Sequence, residues 1–205
     1  MKITRLKRGV RNTQKIAIYV DSKYTFSVLE SILVDENLYI DREITEEDLD
    51  RIRDLSESLE LKYKLINLIS RRPRSEKEIQ QYLTKQNIRN NSEKIIKILK
   101  DDGYIDDTKF AKWWIDQRVA FKNKSINEIR SELLGKGISS DIIEAAIGDV
   151  ELSDGEIKSI KLLAEKKKRL LVHKNLTTEQ FNEKVIQYLL RKGFRWELIQ
   201  KALEK

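Results

Sequence analysis

The sequence predicts a mainly α-helical protein: three tandem three-helix repeats in an elongated curved array, preceded by a small N-terminal β-hairpin or sheet. Three observations predict it. Three segments of the chain align at shared caps and turns. Only the first 28 residues read as β-strand. The 205 residues include one Pro, seven Gly and no Cys, too few turn formers for a many-turned β protein.

In chain order, Lys15–Val20 and Tyr24–Val28 alternate β-branched and aromatic residues around a short Asp21-Ser22-Lys23 turn, the pattern of a hairpin. Ile3–Lys7 adds a third strand. So small a sheet is marginal alone and must lean on the helices. Residues 1–48 are therefore read as a hairpin extension and connector. Thr45-Glu46-Glu47-Asp48 is a helix start, a capping hydroxyl followed by acids that the helix dipole favours. Leu55, Leu59, Leu65, Leu68 and Ile69 follow at helical spacing.

The repeats are Ser75–Ile88, Ser125–Ile138 and Glu183–Phe194. Ile79, Ile129 and Val185 correspond, as do Leu83, Leu133 and Leu189, one helical turn later. Asn87, Gly137 and Gly193 coincide at the helix end, where a left-handed residue is needed, and Ile88, Ile138 and Phe194 follow to lock the turn. Ser75…Glu78, Ser125…Glu128 and Thr177…Gln180 read as capping boxes. An apolar pair comes after each turn (Ile95-Ile96, Ile142-Ile143, Leu198-Ile199), and helices over 55–70, 108–122 and 155–172 precede each capped helix. The repeats are bounded at 49–106, 107–152 and 153–205. A unit of about fifty residues cannot bury its apolar stripe alone and must stack on a neighbour.

The formal charge is +7, from 41 Lys+Arg and 34 Asp+Glu. Residues 1–28 hold seven bases and one acid, 29–60 three bases and twelve acids, and 61–100 eleven bases and three acids. Such blocks make separate basic and acidic patches, and basic patches draw phosphate backbones or acidic protein faces. Paired i,i+4 charges on a solvated surface are the plain alternative. No run approaches the ~18 apolar residues of a membrane span, and the N-terminus lacks a secretory signal, so a cytoplasmic protein without membrane contact is expected. Zero Cys excludes disulfides and thiol chemistry, and a lone His173 leaves little for triads or His-rich metal sites. No enzyme activity, metal or cofactor is expected.

At Gly103-Tyr104-Ile105-Asp106-Asp107-Thr108-Lys109-Phe110-Ala111 the sequence resembles the RecX family of bacterial recombination regulators. The same resemblance runs through Arg118, Leu133-Leu134-Gly135-Lys136-Gly137-Ile138 and the upstream Arg71-Arg72-Pro73-Arg74-Ser75-Glu76-Lys77-Glu78. It covers roughly residues 2–205 and is weakest in the third repeat. It implies three tandem three-helix units and a non-enzymatic role. Family members bind a RecA-type recombinase filament on single-stranded DNA and suppress ATP hydrolysis and strand exchange, and some also bind DNA directly. A monomer is expected. Asn87 departs from the commoner Lys-Gly pair, although Asn also takes the left-handed turn.

Candidate contacts for recombinase or DNA are Arg71, Arg72, Arg74, Trp113, Arg118, Lys122, Lys124, Arg130, Lys136, Lys192 and Arg195. Arg71-Arg72-Pro73-Arg74 gathers guanidinium groups where Pro73 helps to end a helix: a binding corner or a solvated loop. Phe110, Trp114 and Arg118 share an i,i+4 stripe, which assigns Trp114 to the core and leaves Trp113 for the surface. Arg118 pairs with Asp106, with an acid of a neighbouring unit, or with a partner. Asp106-Asp107 is read as cap chemistry, with Asp107 or Thr108 as the cap. The run Lys166–Arg169 is a solvated face or a phosphate contact, and His173 has no assigned role. The alternative function is a sequence-tolerant DNA-binding helical protein.

Overall fold

Alternation in the first 29 residues produces the sheet. The computed structural model describes residues 1–9, 13–88, 92–148 and 152–204, apart from the side chains of 120–122 and 152–154. Strands β1 (Ile3–Arg8), β2 (Lys15–Val20) and β3 (Lys23–Leu29) pair antiparallel in the order β1-β2-β3. Asp21 and Ser22 have φ of 46° and 69°, the left-handed pair that a two-residue hairpin loop requires. Ile16, Ile18 and Val20 of β2 are buried while the residues between them are not, so one face of the sheet is wet.

Helix α1 (Glu30–Asp35) was not foreseen in the connector. Helix α2 (Glu46–Ser70) starts where expected, with a reciprocal capping box between Thr45 and Asp48. Ile3, Ile18, Val20 and Val28 of the sheet join Ile32, Leu38, Ile44, Leu49 and Ile52 in one core. The sheet thus leans on α1 and the first turns of α2.

Helices α3 (Glu76–Lys85), α4 (Ser92–Asp101), α5 (Asp107–Lys122), α6 (Ile126–Gly135), α7 (Ser140–Gly148), α8 (Leu152–Leu171), α9 (Thr178–Arg191) and α10 (Trp196–Leu203) complete the described chain. It divides into two compact units: Met1–Arg71 with α4 as far as Leu99, and Arg72–Ile88 with Lys100–Lys205. In the latter, α5, α6 and α7 share a core of Phe110, Ala111, Trp114, Ile115, Ile129, Leu133, Ile138 and Ile143. Helices α8, α9 and α10 share another, built on Ile160, Ala164, Val185, Leu189, Phe194 and Ile199.

The helix ends explain the repeat signature. Asn87, Gly137 and Gly193 have φ of 58°, 84° and 80°. The N–H groups of Ile88, Ile138 and Phe194 donate to the carbonyls of Leu83, Leu133 and Leu189, which completes a Schellman motif at each site. Ile138 and Phe194 are buried as they lock the turn.

Candidate interaction surface

Within the second compact unit, the capped helices carry the contacts that join one three-helix repeat to the next. Ser75 and Ser125 are the N-caps of α3 and α6, and each hydroxyl accepts the N–H three residues on, from Glu78 and Glu128 at 3.2 Å. Both serines are fully buried, because each donates its own proton to the C-cap carbonyl of the following capped helix. Ser75 Oγ reaches the Lys136 carbonyl at 2.8 Å, and Ser125 Oγ the Lys192 carbonyl at 2.6 Å. An acid serves each first-turn amide: the half-buried Asp107 accepts Glu76 N–H through Oδ1 at 2.9 Å, and the buried Glu156 accepts Ile126 N–H through Oε1 at 3.0 Å. The two joints therefore use the same chemistry.

The boxes expected at Ser75…Glu78 and Ser125…Glu128 are accordingly only half formed. Glu78, its side chain nearly covered, instead takes two hydrogen bonds from Arg72, at 2.7 and 3.1 Å, and one from Lys136 at 2.5 Å. Arg74 lies 3.9 Å away. At Thr177, where the cap is exposed, the full box with Gln180 forms.

Glu132 is a second hub. Its Oε2 accepts from Trp114 Nε1 at 2.8 Å and Arg118 Nε at 2.7 Å, and its Oε1 lies 2.5 Å from Lys124 Nζ. The Arg118 guanidinium sits 4.0 Å from the centre of the Trp114 ring, and Lys136 Nζ sits 5.0 Å from it, within cation–π range. Lys136 thus links the two hubs. Arg72, Arg74, Arg118, Lys124 and Lys136 gather on Glu78 and Glu132, five cations to two carboxylates. These five side chains are each about a quarter to a third exposed.

Burial raises the carboxyl pKa of Glu78, but the hydrogen bonds from Arg72 and Lys136 outweigh it and hold Glu78 below its ordinary value. Glu132 follows the same logic: burial raises it, and Lys124, Arg118 and Trp114 together hold it low. Asp107 runs the other way, its carboxyl pushed up by burial in the joint.

The other candidates lie elsewhere. Arg71 is the exposed C-cap residue of α2. Trp113 is half-buried, 5.9 Å from the rings of both Phe110 and Trp114. Arg130 binds Glu144 through two hydrogen bonds, at 2.9 and 3.1 Å. At the second joint Lys192 lies 3.9 Å from Glu128, and Arg195 lies 3.9 Å from Glu156. Lys122 closes α5, and its side chain lies outside the described residues. Two local readings change. The cap of α5 is Asp106, which accepts from Thr108 and Lys109 N–H, because Asp107 is drawn to Glu76. Arg118 pairs with Glu132 of its own unit rather than with Asp106.

Sequence reasoning read Glu78 only as a cap partner and missed Glu132 of this band and Glu156 of the second joint. The available signal was the recurrence of Ser-x-x-Glu beside a later Lys-Gly, Lys136-Gly137 and Lys192-Gly193. Among the described residues no group of three or more His, Asp or Glu side chains is placed to hold a metal, and no helix is long and apolar enough to cross a membrane.

Fold and surface define a class: tandem three-helix repeats following a small N-terminal sheet in the chain, with interlocked basic side chains. Profiles of the RecX N-terminal domain, second three-helix domain and third three-helix domain match residues 1–45, 106–147 and 154–203. The chain belongs to the RecX family of regulatory proteins. It is similar to the regulatory protein RecX of Bacillus pumilus (31% identical, covering 99% of this chain and 76% of the relative). The RecX of Listeria innocua is 30% identical over 98% of this chain and 74% of its own. That of Clostridioides difficile is 29% identical over 99% and 94%. A crystal structure of a regulatory protein RecX superposes over 100% of this chain and 99% of its own, with a TM-score of 0.79 at 25% identity. RecX from Lactobacillus salivarius covers 72% of this chain and 95% of its own, with a TM-score of 0.61 at 25% identity.

Proposed function

We propose that this protein binds a RecA-type recombinase filament on single-stranded DNA and inhibits its ATPase and strand-exchange activities, modulating recombination and repair. The observation that carries this reading is the band of Arg72, Arg74, Arg118, Lys124 and Lys136, held in place by Glu78, Glu132 and the Trp114 ring while keeping a surplus of positive charge. Pre-positioned cations lose little entropy when they meet an acidic protein face or a phosphate backbone. The mechanism needs no covalent step. A partner that favours one filament conformation lowers turnover by disfavouring the others. The protein acts in the cytoplasm as a monomer and without a cofactor. Arg71, Trp113, Lys122, Arg130, Lys192 and Arg195 are further candidate contacts for recombinase or DNA.

The test follows ATP turnover by a RecA recombinase on single-stranded DNA as the protein is added. Turnover should fall with increasing protein, and Lys124→Glu with Arg74→Glu should blunt the fall. Unchanged turnover at a several-fold excess overturns the proposal. The second reading, direct sequence-tolerant DNA binding, is favoured by the same charge surplus, and predicts binding to bare DNA with a steep salt slope and none to the recombinase.

A further inference from the structure

The wet face of the N-terminal sheet carries a feature that the basic band does not explain. Arg5, Tyr19 and Tyr24 lie directly opposite one another on β1, β2 and β3. They form a single row across the sheet. The Arg5 guanidinium is 5.8 Å from the centre of the Tyr19 ring. The Tyr19 and Tyr24 rings meet edge to face, also at 5.8 Å. Tyr24 is 59% exposed, so part of its ring is open to a ligand. In the next row on the same face, Lys7 stands opposite Ala17, and Ala17 opposite Ser27. The small residues there leave the tyrosines beside an exposed lysine, with the Tyr24 hydroxyl 3.3 Å from Ser27 Oγ. Neither Arg5 nor Lys7 has a carboxylate partner among the described residues.

We infer that this face is a stacking platform for single-stranded nucleic acid: Tyr24 and Tyr19 take base faces while Arg5 and Lys7 take the flanking phosphates. Charge complementarity selects this occupant, since residues 1–28 hold seven bases and one acid and aromatic rings interleaved with unpaired cations suit a splayed strand. A duplex hides its base faces and leaves the rings nothing to stack on. An acidic protein segment would use the cations but not the row of rings. The inference stands apart from the recombinase reading and deepens the direct-binding one, by assigning strand contact to residues of the N-terminal sheet rather than to the basic band.

The experiment titrates the full chain into a short, end-labelled oligothymidylate and reads fluorescence anisotropy, with a duplex of equal length and an oligouridylate in parallel. The wild type should bind the single strands more tightly than the duplex, and the tighter of the two single strands names the nucleic acid held. Tyr24→Ala should weaken binding about tenfold and Tyr24→Phe hardly at all, as expected when one ring stacks on one base. Arg5→Ala and Lys7→Ala should each flatten the salt dependence by roughly 0.7 in log–log slope, one phosphate contact apiece. Tyr24 is exposed, so its substitution spares the core, and far-ultraviolet circular dichroism checks the fold. Equal affinity of wild type and Tyr24→Ala, or equal affinity for duplex and single strand, overturns the platform. Inhibition of recombinase ATP turnover is scored separately: if it persists in Tyr24→Ala while oligonucleotide affinity drops, the two readings stand independently.

Discussion

Ser125 donates its hydroxyl proton to the main-chain oxygen of Lys192, 67 residues away, at 2.6 Å. The same hydroxyl accepts Glu128 N–H, so one small side chain caps its own helix and fastens it to the next unit. Ser75 repeats this with Lys136.

Ser125→Ala should therefore cost more than Thr177→Ala, although both residues cap equivalent helices. Loss of the exposed Thr177 cap should cost about 1 kcal/mol. Ser125→Ala also takes the donor from the part-buried Lys192 carbonyl, for a total of about 2–3 kcal/mol. Urea denaturation of the two variants measures the difference, and equal midpoints would mean that the joint hydrogen bond contributes nothing.

Glycine replacements separate backbone strain from joint packing. Gly103, Gly137 and Gly193 all have φ between 76° and 84°. A Cβ at Gly103 meets nothing within 4 Å, whereas at Gly137 it lies 2.8 Å from Lys77 Cβ and at Gly193 2.8 Å from Ser125 Oγ. Gly103→Ala should cost about 1–2 kcal/mol, from left-handed strain alone. Gly193→Ala should exceed it, since the buried Ser125 hydroxyl has no room to retreat. Thermal unfolding of the pair provides the comparison.

Acid should loosen the first joint and the Glu132 hub. Glu78 and Glu132 are held below 4.5 in the folded chain, so their contribution is fully present above about pH 4.5 and is lost as pH falls through their folded values. Asp107, raised above 3.8 by burial, has the opposite sign: its contribution is present below about pH 3.8 and disappears as pH rises through the folded value. Two depressed groups against one raised group predict a net fall in stability on acidification. Glu78→Gln with Glu132→Gln should flatten that fall at the expense of stability at neutral pH, measured by denaturation at stepped pH.

Leu133→Ala tests the second unit's core. Leu133 is fully buried among Phe110, Ile115 and Ile129, so its truncation should cost about 2–5 kcal/mol. Leu134, its neighbour, is 48% exposed, and Leu134→Ala should be nearly silent.

Most of the fold was legible because its signals are local. Ser75, Ser125 and Thr177 announce helix starts by hydrogen bonds three residues long, and Asn87, Gly137 and Gly193 announce ends by a conformation that few residues tolerate. The Asp21-Ser22 turn is of the same kind. The site was less legible because its contacts span long stretches of chain. Glu78 meets Lys136 across 58 residues, and no spacing rule reaches that far. Asp107 illustrates the conflict: the local rule offered it as a cap, and the Glu76 N–H, 31 residues upstream, claimed it instead. The division between Trp113 and Trp114 followed the helical stripe and held, since Trp114 is buried and Trp113 only partly so. Helix α1 had too few residues to show a period.

Each joint is accepted by a main-chain oxygen, at Lys136 and at Lys192, and every amino acid supplies that atom. Mutation can therefore drift freely at the accepting position without unfastening the units, provided a serine stays on one side and a left-handed residue on the other. An articulation with so few side-chain demands can outlast the divergence that leaves this chain and its Bacillus pumilus relative only 31% identical.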